Sequence, residues 1–180
     1  MNSEKAIKIA VEAHTGQVDK GGNPYILHPL RVMLSLNSEE ERIVGVLHDV
    51  VEDCAPKDYM WDRENFSHFH QLSKEQRPAK NTWEHLIAEG LKARLFEALQ
   101  SVSKTPEEEK QFKEMDDPDE KMEHYLQFIQ RAKANEIGSR VKAADLRDNL
   151  DISRIDEITA NDVARLVRYG AALKALSFKS

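Results

Sequence analysis

The chain has 180 residues, a single cysteine (Cys54) and a formal charge of −6, from 32 acidic against 26 basic side chains. That length suits one domain with its own hydrophobic core. A lone cysteine excludes an internal disulfide and a thiolate metal cage, and the acidic balance argues against a nucleic-acid coat or a membrane-surface protein, which display basic patches. No run approaches the roughly 18 apolar residues of a membrane span, and the opening MNSEKAIKIAVEAH has no secretory pattern. The expectation is a soluble, cytoplasmic protein with neither nucleic acid nor membrane among its partners; oligomeric state is left open.

Period-two alternation is nearly absent, so strands are not expected and the fold class is all-α. Ser3 is placed as the N-cap of a first helix carrying Ile7, Ala10, Val11 and His14. Asp19-Lys20-Gly21-Gly22-Asn23-Pro24 is a loop. A second helix covers Tyr25 to Leu36, with Pro29 near its first turn, where proline is tolerated. Ser38 with Glu41 three residues on is a capping box for a third, Glu39 to Asp53. Residues 55–80 are polar and aperiodic and read as a loop or insertion. Helical spacing resumes from Trp83 through Val102, and Thr105-Pro106-Glu107-Glu108 opens a charged helix. Further helices are expected from Glu120, from Glu136 and from Asn161.

The third helix carries the chemistry. On a wheel with His48 at zero, Glu52 falls near about 40°, Asp49 near about 100° and Asp53 near about 140°. Ile43, Val44, Val46, Leu47, Val50 and Val51 fill the opposite arc, and Gly45 falls inside the polar one, leaving space above the titratable groups. A solvated polar face accounts for Glu52 and Asp53. It does not account for Gly45, which costs roughly 1 kcal/mol against alanine inside a helix. Nor does it account for three carboxylates and an imidazole on one face with no lysine after Arg42, an arrangement that a cation would relieve. Both readings stand at this point.

Two other segments bear on the choice. His28 lies between apolar residues in Tyr25-Ile26-Leu27-His28-Pro29-Leu30, where a histidine is more often a satisfied core residue than a ligand. Lys142, Asp145 and Asn149 are spaced i, i+3 and i+7 and share a helix face; the plain reading there is a surface Lys142–Asp145 pair, worth a fraction of a kcal/mol.

In order, Ala13-His14-x-Gly16-Gln17, Gly22-x-Pro24-Tyr25-Ile26-x-His28-Pro29, Leu47-His48-Asp49-Val50-Val51-Glu52-Asp53 and Val141-Lys142-x-Ala144-Asp145-x-x-x-Asn149 resemble the HD-domain phosphohydrolases, and specifically the hydrolase domain of the RelA/SpoT alarmone enzymes. The resemblance runs from about residue 5 to about residue 175 and implies an HD-domain helical bundle spanning the chain as one domain. It implies one divalent ion, usually manganese, held by His28, His48, Asp49 and Asp145. Two imidazoles and two carboxylates suit a borderline-hard ion and leave positions for water and a phosphate oxygen. Glu52 and Asp53 take the place of the family's catalytic acid pair, and Asn149 that of its nucleotide-binding asparagine. The implied reaction is removal of the 3′-pyrophosphate from ppGpp or pppGpp by a metal-activated water. Lys20, Lys104 and Lys142 are suggested to balance the substrate's charge, although a lysine taken singly is more often solvated. His14 and Tyr25 are expected to support the ligands or the packing, and Cys54 has no assigned role.

Nothing after about residue 176 is long enough for the synthetase domain of the bifunctional enzymes. The match is therefore to single-domain alarmone hydrolases and the metazoan SpoT homologue, which adds the NADPH 2′-phosphate as a candidate substrate. Other readings are an HD nucleotidase for another nucleotide and a catalytically idle nucleotide sensor. One departure bears on the base. Where the family has an arginine that stacks on guanine this chain has Asp19, and an aspartate can neither stack nor donate. A second departure is the insertion around 62–80, with His68 and His70, which reads as a solvated loop, the alternatives being a second metal site or a lid.

Overall fold

The computed structural model describes residues 1–53, 82–155 and 157–177. Cys54, His68, His70 and the expected insertion lie outside them. The described residues are α-helical apart from loops, one 3₁₀ turn and an isolated antiparallel bridge between Val18 and Pro24. The helices are α1 (Ser3–Ala13), α2 (Leu27–Leu34), α3 (Glu39–Asp53), α4 (Thr82–Ala88), α5 (Ala93–Val102), α6 (Pro106–Glu114), α7 (Pro118–Ala134), α8 (Glu136–Leu150) and α9 (Ala160–Leu176). None of them is long and apolar enough to cross a membrane. The all-α class read from periodicity is the observed one.

Most boundaries follow from local chemistry. The capping box at the start of α3 is formed: Glu41 N–H donates to Ser38 Oγ at 3.2 Å, and Ser38 N–H donates to Glu41 Oε2 at 3.1 Å. Glu41 is buried, and its other oxygen accepts from Arg140 of α8 at 2.6 Å, so one side chain caps α3 and ties it to α8. A second box, Thr105 with Glu108, opens α6.

Three boundaries differ from expectation. Asn2, not Ser3, caps α1, accepting from Lys5 N–H at 3.1 Å. The second helix runs Leu27–Leu34, because Tyr25 is held by a backbone bond to Gln17 at 2.9 Å and belongs to the preceding loop. The expected long helix from Trp83 to Val102 is two, α4 and α5. Gly90, at φ +91, ends α4 with Gly90 N–H on Ile87 O and Leu91 N–H on Leu86 O, the paired bonds of a Schellman motif. The apolar spacing on either side keeps nearly the same phase, so periodicity alone does not see the break.

Burial divides into two clusters that share α8. The larger packs α1–α5 against one side of α8, around Ala6, Val32, Val44, Leu47, Leu86, Leu99 and Val141. The smaller joins α7, α8 and α9 through Tyr125, Phe128, Ile129, Leu146, Ala172 and Leu176. The polar side chains of α2, α3 and α8 meet between them.

Gly45 has a different role from the one expected. A Cβ built there would stand 2.6 Å from Leu36 Cδ1 and 3.5 Å from Met33 Cα. Its missing side chain makes room for the tip of the buried Leu36 side chain where α3 packs on α2; it is not space over the polar face. Gly45→Ala should therefore destabilise despite its better helix propensity. Overpacking costs about 1–3 kcal/mol against about 1 kcal/mol regained, so a urea midpoint shifted down by a net of order 1 kcal/mol is expected, and a rise would show that the crossing has slack.

Candidate metal centre

Three helices bring the predicted ligand residues together, with His28, His48 and Asp49 as the mutually close set and Asp145 beside the two imidazoles. His28 comes from the first turn of α2, His48 and Asp49 from α3, and Asp145 from α8. Ligand atoms of His28, His48 and Asp49 lie within 4.8 Å of one another. His28 Nε2 is 3.4 Å from Asp49 Oδ2 and 3.3 Å from Asp145 Oδ1. His48 Nε2 is 3.2 Å from Asp49 Oδ1 and 3.6 Å from Asp145 Oδ1. Donors sharing one ion at about 2.1 Å stand roughly 3.0–3.4 Å apart; three of these four distances fall in that range and the His48–Asp145 distance, at 3.6 Å, lies just beyond it.

Both imidazoles are oriented from behind. His48 Nδ1 donates to the Gly45 carbonyl at 2.8 Å, since a carbonyl only accepts. Its Nε2 is fully buried and has no hydrogen-bond partner among the described residues. A buried, unpartnered imidazole nitrogen facing two carboxylates is what a cation would satisfy. His28 Nδ1 donates to Asp148 Oδ2 at 2.7 Å, and Arg31 grips the same carboxylate through Nε at 2.7 Å and a terminal nitrogen at 3.0 Å. Tyr25 Oη donates to Asp49 Oδ2 at 2.8 Å. Asp145 accepts from Lys142 Nζ at 2.7 Å and from the Asn149 amide at 2.5 Å.

The electrostatics favour a cation. Burial opposes charge on His28, but hydrogen bonds to Asp145 and Asp148 and the charges of Asp145 and Asp49 outweigh it, and the imidazole is pushed up to about 10. His48 is also raised: burial opposes it, and the nearby carboxylates of Asp49 and Asp145 prevail. Burial alone would raise Asp145, yet the Lys142 ammonium and the two histidines hold it well below the usual carboxylate range. Asp148 is likewise held down against its burial by His28 and Arg31. In each case charges and hydrogen bonds outweigh desolvation.

The Lys142–Asp145 pair is not the surface pair that spacing suggested. Both residues are buried, and the Lys142 ammonium also lies 5.0 Å from the Phe128 ring centroid. Burial makes the pair costly to break, because removing either partner strands the other charge.

His28, Asp49 and Asp145 form the floor of a cavity of about 380 Å³, lined also by Asp19, Lys20, Glu52, Lys104, Tyr125, Asn149, Arg165 and Tyr169, while His48 is buried outside that lining. Glu52 stands on the wall, one helical turn beyond His48. Its Oε1 accepts from the Lys104 backbone N–H at 2.7 Å, and Oε2 lies 3.9 Å from Lys104 Nζ. Asp53 ends α3, and its side chain lies outside the described set. Lys20 is at the mouth, paired with Asp162. Asn149, expected at the nucleotide, lines the cavity while its amide bonds Asp145. Asp19 lines it as well, and its Oδ1 accepts from Gly21 and Asn23 N–H, each at 2.9 Å, so this carboxylate organises its own loop. His14 is buried against Tyr25, with ring centroids 5.0 Å apart.

Sequence reasoning missed Asp148 with Arg31, and Tyr125, Arg165 and Tyr169 on the far wall. A signal existed for some of them. Asp162, Arg165 and Tyr169 repeat the i, i+3, i+7 comb already noticed at Lys142, Asp145 and Asn149.

No family model matches the chain. A stretch of 54 residues is 46% identical to a protein named as a putative GTP diphosphokinase RSH1, chloroplastic, from Arabidopsis thaliana, covering 28% of this chain and 6% of that protein. Another of 53 residues is 45% identical to a guanosine-3′,5′-bis(diphosphate) 3′-pyrophosphohydrolase of Borreliella burgdorferi, covering 27% and 8%. Over 105 residues, 47% of this chain, identity to a GTP pyrophosphokinase of Myxococcus xanthus is 31%, within 14% of that protein. These stretches link the chain to RelA/SpoT-type proteins. The matched stretches span 6% to 14% of those relatives' own length.

The support behind His28 yields a prediction of its own. Asp148→Asn should leave the fold intact but weaken divalent-metal affinity by about 10–100-fold, as loss of such oriented partners does. Metal titration followed by calorimetry measures this; wild-type affinity would show that Arg31 or the backbone suffices to orient the ring.

Proposed function

We propose that this chain is a metal-dependent phosphohydrolase of the HD type, acting as one domain on the 3′-pyrophosphate of guanosine 3′-diphosphate 5′-di- or triphosphate or of its adenine analogue. The observation that carries the reading is the buried, unpartnered His48 Nε2 facing Asp49 and Asp145 beside His28, at a cavity that these two carboxylates and His28 line together with Lys20, Lys104, Lys142 and Arg165. The relatives named as guanosine-3′,5′-bis(diphosphate) 3′-pyrophosphohydrolases support the substrate class. In this reading His28, His48, Asp49 and Asp145 hold the ion, manganese being the first candidate, and the enzyme works in the cytoplasm.

When bound, the ion supplies Lewis acidity at the reacting phosphorus and a nucleophile at neutral pH. Glu52 stands where it can take the proton of the attacking water, with its carboxylate held in place by the Lys104 N–H. Asp53, next to it, is the second member of the proposed acid pair. Lys104 and Lys142 place positive charge beside the phosphorus, where negative charge grows as the bond breaks. Asn149 fixes the orientation of Asp145 and presents its remaining surface to the cavity. Lys20 and Arg165 face the substrate end farthest from the floor.

A second reading has an observation in its favour. Asp19 stands where an arginine would stack on guanine, and its carboxylate is committed to its own loop. Base contacts must then come from other residues, so another purine nucleotide, including the 2′-phosphate of NADPH, is the alternative substrate. The experiment is a substrate panel with manganese present: ppGpp, ppApp, NADPH and simple nucleoside phosphates, with products resolved by position of cleavage. Release of pyrophosphate from the 3′ position establishes the first reading, and release of monophosphate from another position the second. Binding without turnover of any of them leaves a nucleotide sensor.

A further inference from the structure

At the mouth of the cavity two cations share one carboxylate. Asp162, in the first turn of α9, accepts on Oδ1 from Lys20 Nζ at 2.5 Å, and the same oxygen lies 3.2 Å from an Arg165 terminal nitrogen. Its Oδ2 accepts from Thr159 N–H at 3.1 Å and from Thr159 Oγ1 at 2.6 Å. Asp162 is only 3% exposed and stands behind the cavity wall, whereas Lys20 and Arg165 line the cavity itself. Arg165 Nε is buried and has no hydrogen-bond partner among the described residues, although the guanidinium lies 5.9 Å from the Tyr169 ring centroid. What the guanidinium can offer an incoming anion is the terminal nitrogen now on Asp162, since Nε is buried. Lys20 reaches Asp162 from the Gly-containing loop, and more than half of its side chain is exposed, so this pair can be exchanged for another anion at little cost.

We propose that Asp162 is an internal stand-in for a phosphate group of the ligand: it holds Lys20 and Arg165 at the cavity mouth and gives them up to an incoming anion, so that its charge sets how tightly the cavity takes phosphorylated ligands. The inference rests on the nucleotide reading of this cavity. An anion arriving at the mouth competes with a carboxylate already in place. Removing that carboxylate's charge, while keeping an acceptor for the Thr159 cap, should tighten binding. A purely structural role for Asp162 predicts the reverse, since losing a cap and two ion pairs can only loosen the wall.

The test is calorimetric binding of GDP and of guanosine to the metal-loaded protein, in the wild type and in Asp162→Asn. GDP should bind roughly three- to tenfold more tightly to the variant, with guanosine unchanged and the gain fading at high salt. Asp162→Gln, which keeps a capping-box side chain at this position, serves if the asparagine variant melts early. Thr159→Ala loosens the same cap but keeps the charge, and should not tighten binding. In a Lys20→Met background most of the gain should vanish. GDP affinity that is unchanged or weaker in both Asp162 variants overturns the inference, as does an equal gain in Thr159→Ala. Turnover of the substrate panel is measured separately: a wild type that hydrolyses nothing defeats the hydrolase reading, while the affinities alone decide the role of Asp162.

Discussion

Asp145→Ala is expected to lose its divalent ion and, with it, at least about three orders of magnitude in turnover, the loss expected when a metal no longer activates the nucleophile. Asp145 is the residue through which the site is held together: its Oδ1 faces both imidazoles, and the carboxylate also accepts from Lys142 and Asn149. The same contacts make the single variant unstable. An ammonium would be left buried without its partner, which costs about 3–5 kcal/mol, a large part of a domain's total. Lost activity in the single variant could therefore be lost fold. Asp145→Ala combined with Lys142→Met removes both charges and should recover most of the stability while remaining free of metal. Metal content by elemental analysis and a thermal melt of both variants check this. A double variant that is folded and carries wild-type metal would remove Asp145 from the ligand set.

Glu52→Gln tests chemistry with the metal left in place. Glutamine keeps an oxygen for the Lys104 N–H, which the native Oε1 accepts at 2.7 Å, so wall and fold should be preserved. It has no basic oxygen to take a proton. If Glu52 is the general base, kcat should fall roughly 10²–10⁴-fold with KM and metal content little changed. A KM rise without a kcat loss would make Glu52 a binding group, and an unchanged kcat would move the proton to Asp53 or elsewhere.

The all-α class, the capping box at Ser38, the helix start at Thr105, and the grouping of His48, Asp49 and Glu52 on one face were determined by the sequence alone, because helix spacing and capping are local properties read within a few residues. The motif order also singled out His28 and Asp145 as partners for that face. Only the tertiary structure decided that three helices bring those residues within a few ångströms, and that Lys142 pairs with Asp145 in the interior rather than on the surface. It likewise showed that Gly45 makes room for Leu36 where α3 packs on α2, that Asp148 and Arg31 stand behind His28, 120 and 117 residues apart from their partners, and that α9 closes the far wall with Arg165 and Tyr169. A side chain's partner across such separations is set by how helices pack, and packing depends on shape summed over many residues, which no local pattern carries.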